Sequence, residues 1–131
     1  MNEAIALADR ASALHPDSPA FANQRCWTRA IAGRELDIAL EACNGALSQG
    51  ERAAVLDSRA LVYLKTGRFQ EAWNDYDTAV GMSPLSPQFL FGRGIAALRL
   101  GRESEGRADL TRAGIMEGGI ALDYAAKGIV P

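Results

Sequence analysis

The stretch Ala60-Leu61-Val62-Tyr63-Leu64-Lys65-Thr66-Gly67-Arg68-Phe69-Gln70-Glu71-Ala72-Trp73 decides the fold. Leu56, Ala60, Tyr63 and Leu64 fall at helical spacing. Gly67 ends that helix, because glycine accepts the left-handed conformation at little cost. Phe69, Ala72, Trp73, Tyr76, Ala79 and Val80 then make one apolar face of a second helix. No segment of the chain alternates apolar and polar residues with β-branched enrichment, so strands are not expected. Alanine and leucine dominate, as helices prefer.

This helix–glycine–helix unit recurs. Gly33-Arg34, Gly67-Arg68 and Gly101-Arg102 are spaced by 34 residues, as are Arg25, Arg59 and Arg93. Cys26, Ala60 and Gly94 follow those arginines, and Ala46, Ala79 and Ala113 recur in the second helices. Pro19, Ala53 and Pro87 open the units. First helices are predicted over Pro19–Ala32, Ala53–Thr66 and Pro87–Leu100. Second helices are predicted over about Leu36–Leu47, Phe69–Met82 and Ser104–Ile115. Prolines 16, 19, 84 and 87 stand at the joints, where a missing N–H costs least. The expected architecture is all-α, a superhelix of stacked antiparallel helix pairs with about seven or eight helices. The chain reads as a single domain. Residues 1–18 form a half-repeat helix, 19–52, 53–86 and 87–118 three repeats, and 119–131 a capping segment.

These features resemble the tetratricopeptide repeat (TPR) family. In the middle unit Leu56, Ala60, Tyr63, Gly67, Ala72, Tyr76, Ala79 and Pro84 stand in the register of its signature. The third unit keeps Gly94, Gly101 and Ala113, with Gly106, Leu110 and Gly118 in place of an alanine, an aromatic and a proline. The first keeps Cys26 and Gly33. An extra residue in the turn Arg34–Asp37 shifts its second helix, so that Ala39, Cys43 and Ala46 fill the slots; its closing proline is missing, replaced near Glu51. Ala4, Ala8, Ala11 and Pro16 match the second helix of a preceding unit, with Ala8 in an aromatic's place. Opening on half a pair fits a helical cap or a domain cut from a larger protein, and excision is the preferred reading. The first-unit helix and the tail Ile120–Val130 are similar to C-terminal TPR segments of multidomain bacterial proteins, some with a hydrolase or transglutaminase-like domain upstream. Gly118-Gly119 should break the last repeat helix. The apolar tail, with Ile120, Leu122, Tyr124, Ala125, Ile129 and Val130, should then cover the open core edge of the third unit.

Composition narrows the function. The 131 residues hold 14 Lys+Arg against 16 Asp+Glu, a net charge of −2, so there is no basic surplus for nucleic acid. No apolar run approaches the ~20 residues of a membrane span, so membrane insertion is not expected. The start, Met1-Asn2-Glu3-Ala4, does not read as a signal peptide. The compartment stays open: cytoplasmic, or periplasmic if an upstream signal peptide was removed. With His15 the sole histidine, before Pro16 in a turn, and Cys26 and Cys43 the only cysteines, no catalytic residues, metal ligands or cofactor are assigned. Buried free thiols are the default for the two cysteines, with a disulfide as the alternative because they occupy facing slots.

The TPR resemblance places the first helices on a concave face. It points to Asn23, Trp27, Asp57, Leu61, Leu64, Gln88, Phe91, Ile95 and Leu98, with Ala20, Ala30 and Ala54, as groove residues. Trp27, Leu61 and Ile95 keep the 34-residue spacing and should lie side by side. An exposed strip of this kind marks a contact site for an apolar segment or helix of another protein. The alternative is that these residues pack on neighbouring helices or an intramolecular partner. The slots of a two-carboxylate peptide clamp hold Asn23, Trp27, Ser58, Gln88 and Gly92, none of them basic, which argues against that mode. Arg25, Arg59 and Arg93 are better read as structural than as an anion ladder, with Asp75, Asp77 and Asp109 as partners. Arg29 stands where the register wants a buried aromatic, so either it is paired or the first unit packs differently.

The leading reading is a non-catalytic interaction scaffold with a protein or peptide partner. The alternatives are an accessory domain of a larger enzyme and a self-associating assembly module, with the homo-oligomer formed through the open N-terminal helix.

Overall fold

The computed structural model describes residues 2–50 and 52–131. Met1 and Glu51 lie outside the described residues, and with Glu51 the place of the first unit's missing proline. Eight helices follow one another: α1 (Asn2–Leu14), α2 (Pro19–Ala32), α3 (Leu36–Leu47), α4 (Ala53–Lys65), α5 (Phe69–Met82), α6 (Pro87–Arg99), α7 (Glu103–Met116) and α8 (Ile120–Ala126). No strand occurs among the described residues. The predicted spans agree with these to within a residue at each end.

The Gly-Arg pairs set the geometry of the hairpins. Gly67, at φ 76°, donates its N–H to the Leu64 carbonyl, and Arg68 donates to Tyr63. This is a Schellman close, in which the left-handed residue lets the chain reverse and satisfies two end carbonyls. Gly33-Arg34 and Gly101-Arg102 repeat the same two bonds. The starts of α2 and α6 are equally determined. Ser18 and Ser86 accept from the N–H of Phe21 and Phe89, and a proline follows each as first helical residue.

The extra residue in the first turn has a definite effect. Glu35 takes a left-handed backbone, φ 48°, and its carboxylate lies 3.3 Å from Arg29 Nε. A non-glycine residue there costs about 1–2 kcal/mol, which the ion pair helps to offset.

Consecutive helices pack antiparallel, and α2 also touches α4, as α4 touches α6. The second helices α3, α5 and α7 do not touch one another among the described residues. An array whose first helices meet while its second helices splay must curve, with α2, α4 and α6 on the inside. Two apolar clusters fill it. One centres on Leu90, Phe91, Tyr76 and Tyr124, the other on Cys26, Cys43, Val55 and Leu61, and Leu40 and Ile129 pack against both.

Three details depart from or resolve the sequence reading. Cys26 and Cys43 are joined as a disulfide between α2 and α3, so the free-thiol default is corrected. The facing, fully buried slots bring the two Cα atoms to 5.5 Å, within bridging reach. Arg29 is paired: it is 3% exposed and grips Asp9 of α1 with two bonds of 2.6 and 2.7 Å. The arginine ladder is structural. Arg59 clasps Asp75, Arg93 clasps Asp109 and reaches Asp77, and Arg25 bonds Asp9. Each of these pairs is separated by 16 residues.

Candidate functional site

The inner face of α2, α4 and α6 is where the sequence places a partner. The structure brings the nine residues together, but not as an open apolar strip. Leu61 and Ile95 are 1% exposed, Phe91 4% and Leu64 7%. Asn23, Trp27, Asp57, Gln88 and Leu98 are half-buried. Of the remaining inner positions, Ala30 is buried, and Ala20 and Ala54 are exposed. The expectation of an exposed Leu-Ile-Phe row is therefore corrected. The physical reason is twofold: the helices pack closely enough to share these side chains, and the C-terminal segment lies across them.

That segment does more than close the third unit's edge. Ile120 and Tyr124 are buried on the core, while Leu122, Ala125 and Val130 face solvent. The Tyr124 ring meets Phe91 at 4.9 Å between centroids, and its hydroxyl donates to the Gln88 carbonyl at 2.6 Å. Gly92 makes this seat possible. A Cβ there would stand 2.4 Å from the Tyr76 ring and 2.6 Å from Tyr124 Oη. Tyr76 Oη, also buried, has no hydrogen-bond partner among the described residues. Burial first, and then the neighbouring Tyr124, push its phenol well above its ordinary value.

Beyond Tyr124 the chain runs on to the first unit. Lys127 Nζ lies 5.2 Å from the Trp27 ring centroid and 4.4 Å from that of Tyr124, and it donates to Gln88 Oε1 at 3.3 Å. Gly128, at φ 82°, gives α8 the same Schellman close as the repeats, with Gly128 N–H to Ala125 and Ile129 N–H to Tyr124. The reversal turns Ile129 inward against both clusters. The Val130 carbonyl accepts from Arg99 at 2.9 Å.

Two uncovered stretches of the inner face flank the segment. One, about 580 Å³, is lined by residues that include Leu36, Leu64, Lys65, Phe69, Ile95 and Ile129. Lys65 Nζ there donates to the Ile31 carbonyl at 2.8 Å, and burial lowers its pKa. The other, about 250 Å³, is lined by Asn23, Gln24, Trp27, Ala54, Asp57 and Ser58. Asn23 Oδ1 is buried there without a hydrogen-bond partner among the described residues. Asp57 has neither a hydrogen bond nor an ion pair within 4 Å among the described residues. Burial pushes its carboxyl up to about 6, and the Lys127 charge partly opposes this.

Tyr124, Lys127, Ile129 and Gly92 were not assigned to the site by sequence. A signal was present: Gly128-Ile129 follows a helix as Gly67-Arg68 does. Among the described residues no group of three His, Cys, Asp or Glu side chains is placed to hold a metal ion. No described helix is long and apolar enough to cross a membrane.

Stacked antiparallel helix pairs joined by repeated glycine closes define an α-α solenoid of the helical-repeat class. Residues 58–115 match the family model described as Tetratricopeptide repeat. The matched stretch, α4 to α7, carries tetratricopeptide repeats, a fold that is in general terms a protein-interaction scaffold. Solved structures share the architecture. MamA AMB-1 matches with a TM-score of 0.75 at 19% identity, over 91% of this chain and 70% of that one. MamA MSR-1 matches with a TM-score of 0.70 at 18% identity, over 87% of this chain and 66% of that one. No curated protein matches the chain.

Proposed function

We propose that residues 1–131 act as one interaction domain, without catalysis, whose inner face receives a segment of another protein. The site is Asn23, Trp27, Asp57, Leu61, Leu64, Gln88, Phe91, Ile95 and Leu98. The observation that carries this reading is the peptide segment already lying there: residues 124–130 contact Trp27, Gln88, Phe91 and Arg99. A face that holds a peptide by ring contacts, a cation and backbone carbonyls has the features of a peptide receptor. The lack of catalysis is supported by supply. His15, the sole histidine, stacks against Phe21 at 5.2 Å, and both cysteines are tied up in the disulfide.

The test is selection of peptides from a displayed random library on the full chain, followed by affinity measurement on Trp27→Ala and Leu98→Asp. The site requires that the selected peptides lose at least tenfold in affinity on these folded variants. Unchanged binding would place the contact surface elsewhere.

A further inference from the structure

The chemistry of the C-terminal segment defines what the face accepts. Three of its side chains enter the inner face: an aromatic at 124, a cation three residues later at 127 and an aliphatic two residues after that, at 129. Each meets a feature shaped for it. The Tyr124 hydroxyl shares with the Tyr76 ring the space left by the missing side chain of Gly92, and its ring meets Phe91. Lys127 enters beside the Trp27 ring and the Gln88 amide oxygen, and Trp27 and Asp57 line one stretch of the inner face. Ile129 drops between the two apolar clusters.

The hold of this segment is limited. α8 has seven residues, too short to be stable as an isolated helix, and its Leu122, Ala125 and Ala126 remain exposed. Among the described residues Lys127 makes no ion pair within 4 Å, Asn23 Oδ1 is buried without a hydrogen-bond partner, and Asp57, lining the same stretch as Asn23, makes no ion pair. A ligand whose cation reached Asp57 directly would satisfy what the internal segment leaves open.

We propose that the inner face takes from a partner protein a short segment of the order aromatic, then a cation three residues on, then an aliphatic two residues further, and that residues 120–130 swing out to admit it. This rests on the reading of the inner face as the partner site. The internal segment is then a competing ligand in cis, and its high effective concentration sets the threshold a partner must exceed. Asp57 is the residue that selects for the cation.

The test uses a fluorescent synthetic peptide of residues 119–131, followed by polarisation, against three full-length proteins. These are the wild type, Lys127→Ala and the double variant Tyr124→Ser/Lys127→Ala, with folding checked by circular dichroism. The proposal expects at least tenfold tighter peptide binding to the double variant than to the wild type, with Lys127→Ala between them. It expects the gain to vanish for a peptide carrying Lys127→Glu, and to fall severalfold when Asp57→Asn is added to the protein. Because Lys127 is half-buried, its variant keeps the test open should the double variant unfold. Equal binding of the native and Lys127→Glu peptides would overturn the cation rule while leaving the inner face as the site. No binding to either loosened, folded variant would overturn both. A wild-type dimer that becomes monomeric in the double variant, by light scattering, would make the occupant a second copy and overturn the proposal.

Discussion

Asp9 and Asp57 show how the same side chain does opposite work in two settings. Asp9 sits against Arg29 and Arg25, and the Arg29 hydrogen bonds, outweighing burial, hold its carboxyl below the usual range. A depressed pKa contributes stability that is present above the unfolded value and lost as pH falls through the folded one. The Asp9 pairs should therefore fail only under acid conditions, below pH ~4. Asp9→Ala leaves Arg29, 3% exposed, with the Glu35 carboxylate and the Arg25 carbonyl. With the Asp9 side chain itself 38% exposed, the expected loss is about 2 kcal/mol, measured by urea unfolding at neutral pH. Asp57 is the reverse case. Burial raises its carboxyl to about 6, so its contribution is favourable below the unfolded value near 3.8 and is lost as pH rises through about 6. Thermal melts between pH 5 and pH 7.5 should show this as a decline of about 1–3 kcal/mol, and Asp57→Asn should flatten it. A decline of the same size in the variant would remove Asp57 as its source.

At the scale of single elements, the helix joints were the most legible part of the sequence. Gly33, Gly67 and Gly101 announce the hairpins because one backbone conformation fits there and few residues adopt it. Replacing Gly67 by Ala should cost about 1 kcal/mol, read by chemical denaturation, whereas Gly45→Ala, in the last turn of α3 with open space around it, should be neutral or stabilising. The first hairpin carries a second constraint. The Cys26–Cys43 bridge closes a loop of 17 residues between α2 and α3. Its reduction should lower stability by about 3 kcal/mol, seen as a reductant-dependent shift in the unfolding midpoint. The bridge was less legible than the glycines, because buried thiols and a disulfide satisfy the same small, apolar slots. The partner of Arg29 was legible only through register: Asp9 precedes Arg25 by the interval that separates Arg93 from Asp109.

At the scale of the whole molecule, periodicity revealed the stacking but not what covers the inner face. A period of 34 residues places Trp27, Leu61 and Ile95 in one row, and α2, α4 and α6 do line one face. Whether that row is open depends on contacts that periodicity does not encode. Residues 124–129 lie outside the repeat, and their targets are 33 to 100 residues earlier in the chain: Gln88 and Phe91, but also Trp27. The missing side chain of Gly92 was visible only as the lack of a clamp residue, although it is the space Tyr124 enters. A Gly92→Ala substitution should therefore act across the molecule. Its Cβ would meet Tyr76, fixed in the core, and Tyr124, which can leave. Hydrogen exchange of the amides of 120–130 should accelerate at least tenfold in that variant, well beyond the change in α3.

The C-terminal segment lies on the inner face from Phe91 and Gln88 of the third unit to Trp27 of the first. Nuclear Overhauser effects in the full-length protein test this directly. Cross-peaks are expected between the Tyr124 and Phe91 rings and between the Lys127 methylenes and the Trp27 indole. A folded protein with neither cross-peak, and with residues 124–130 showing the narrow lines of a free chain end, would contradict it.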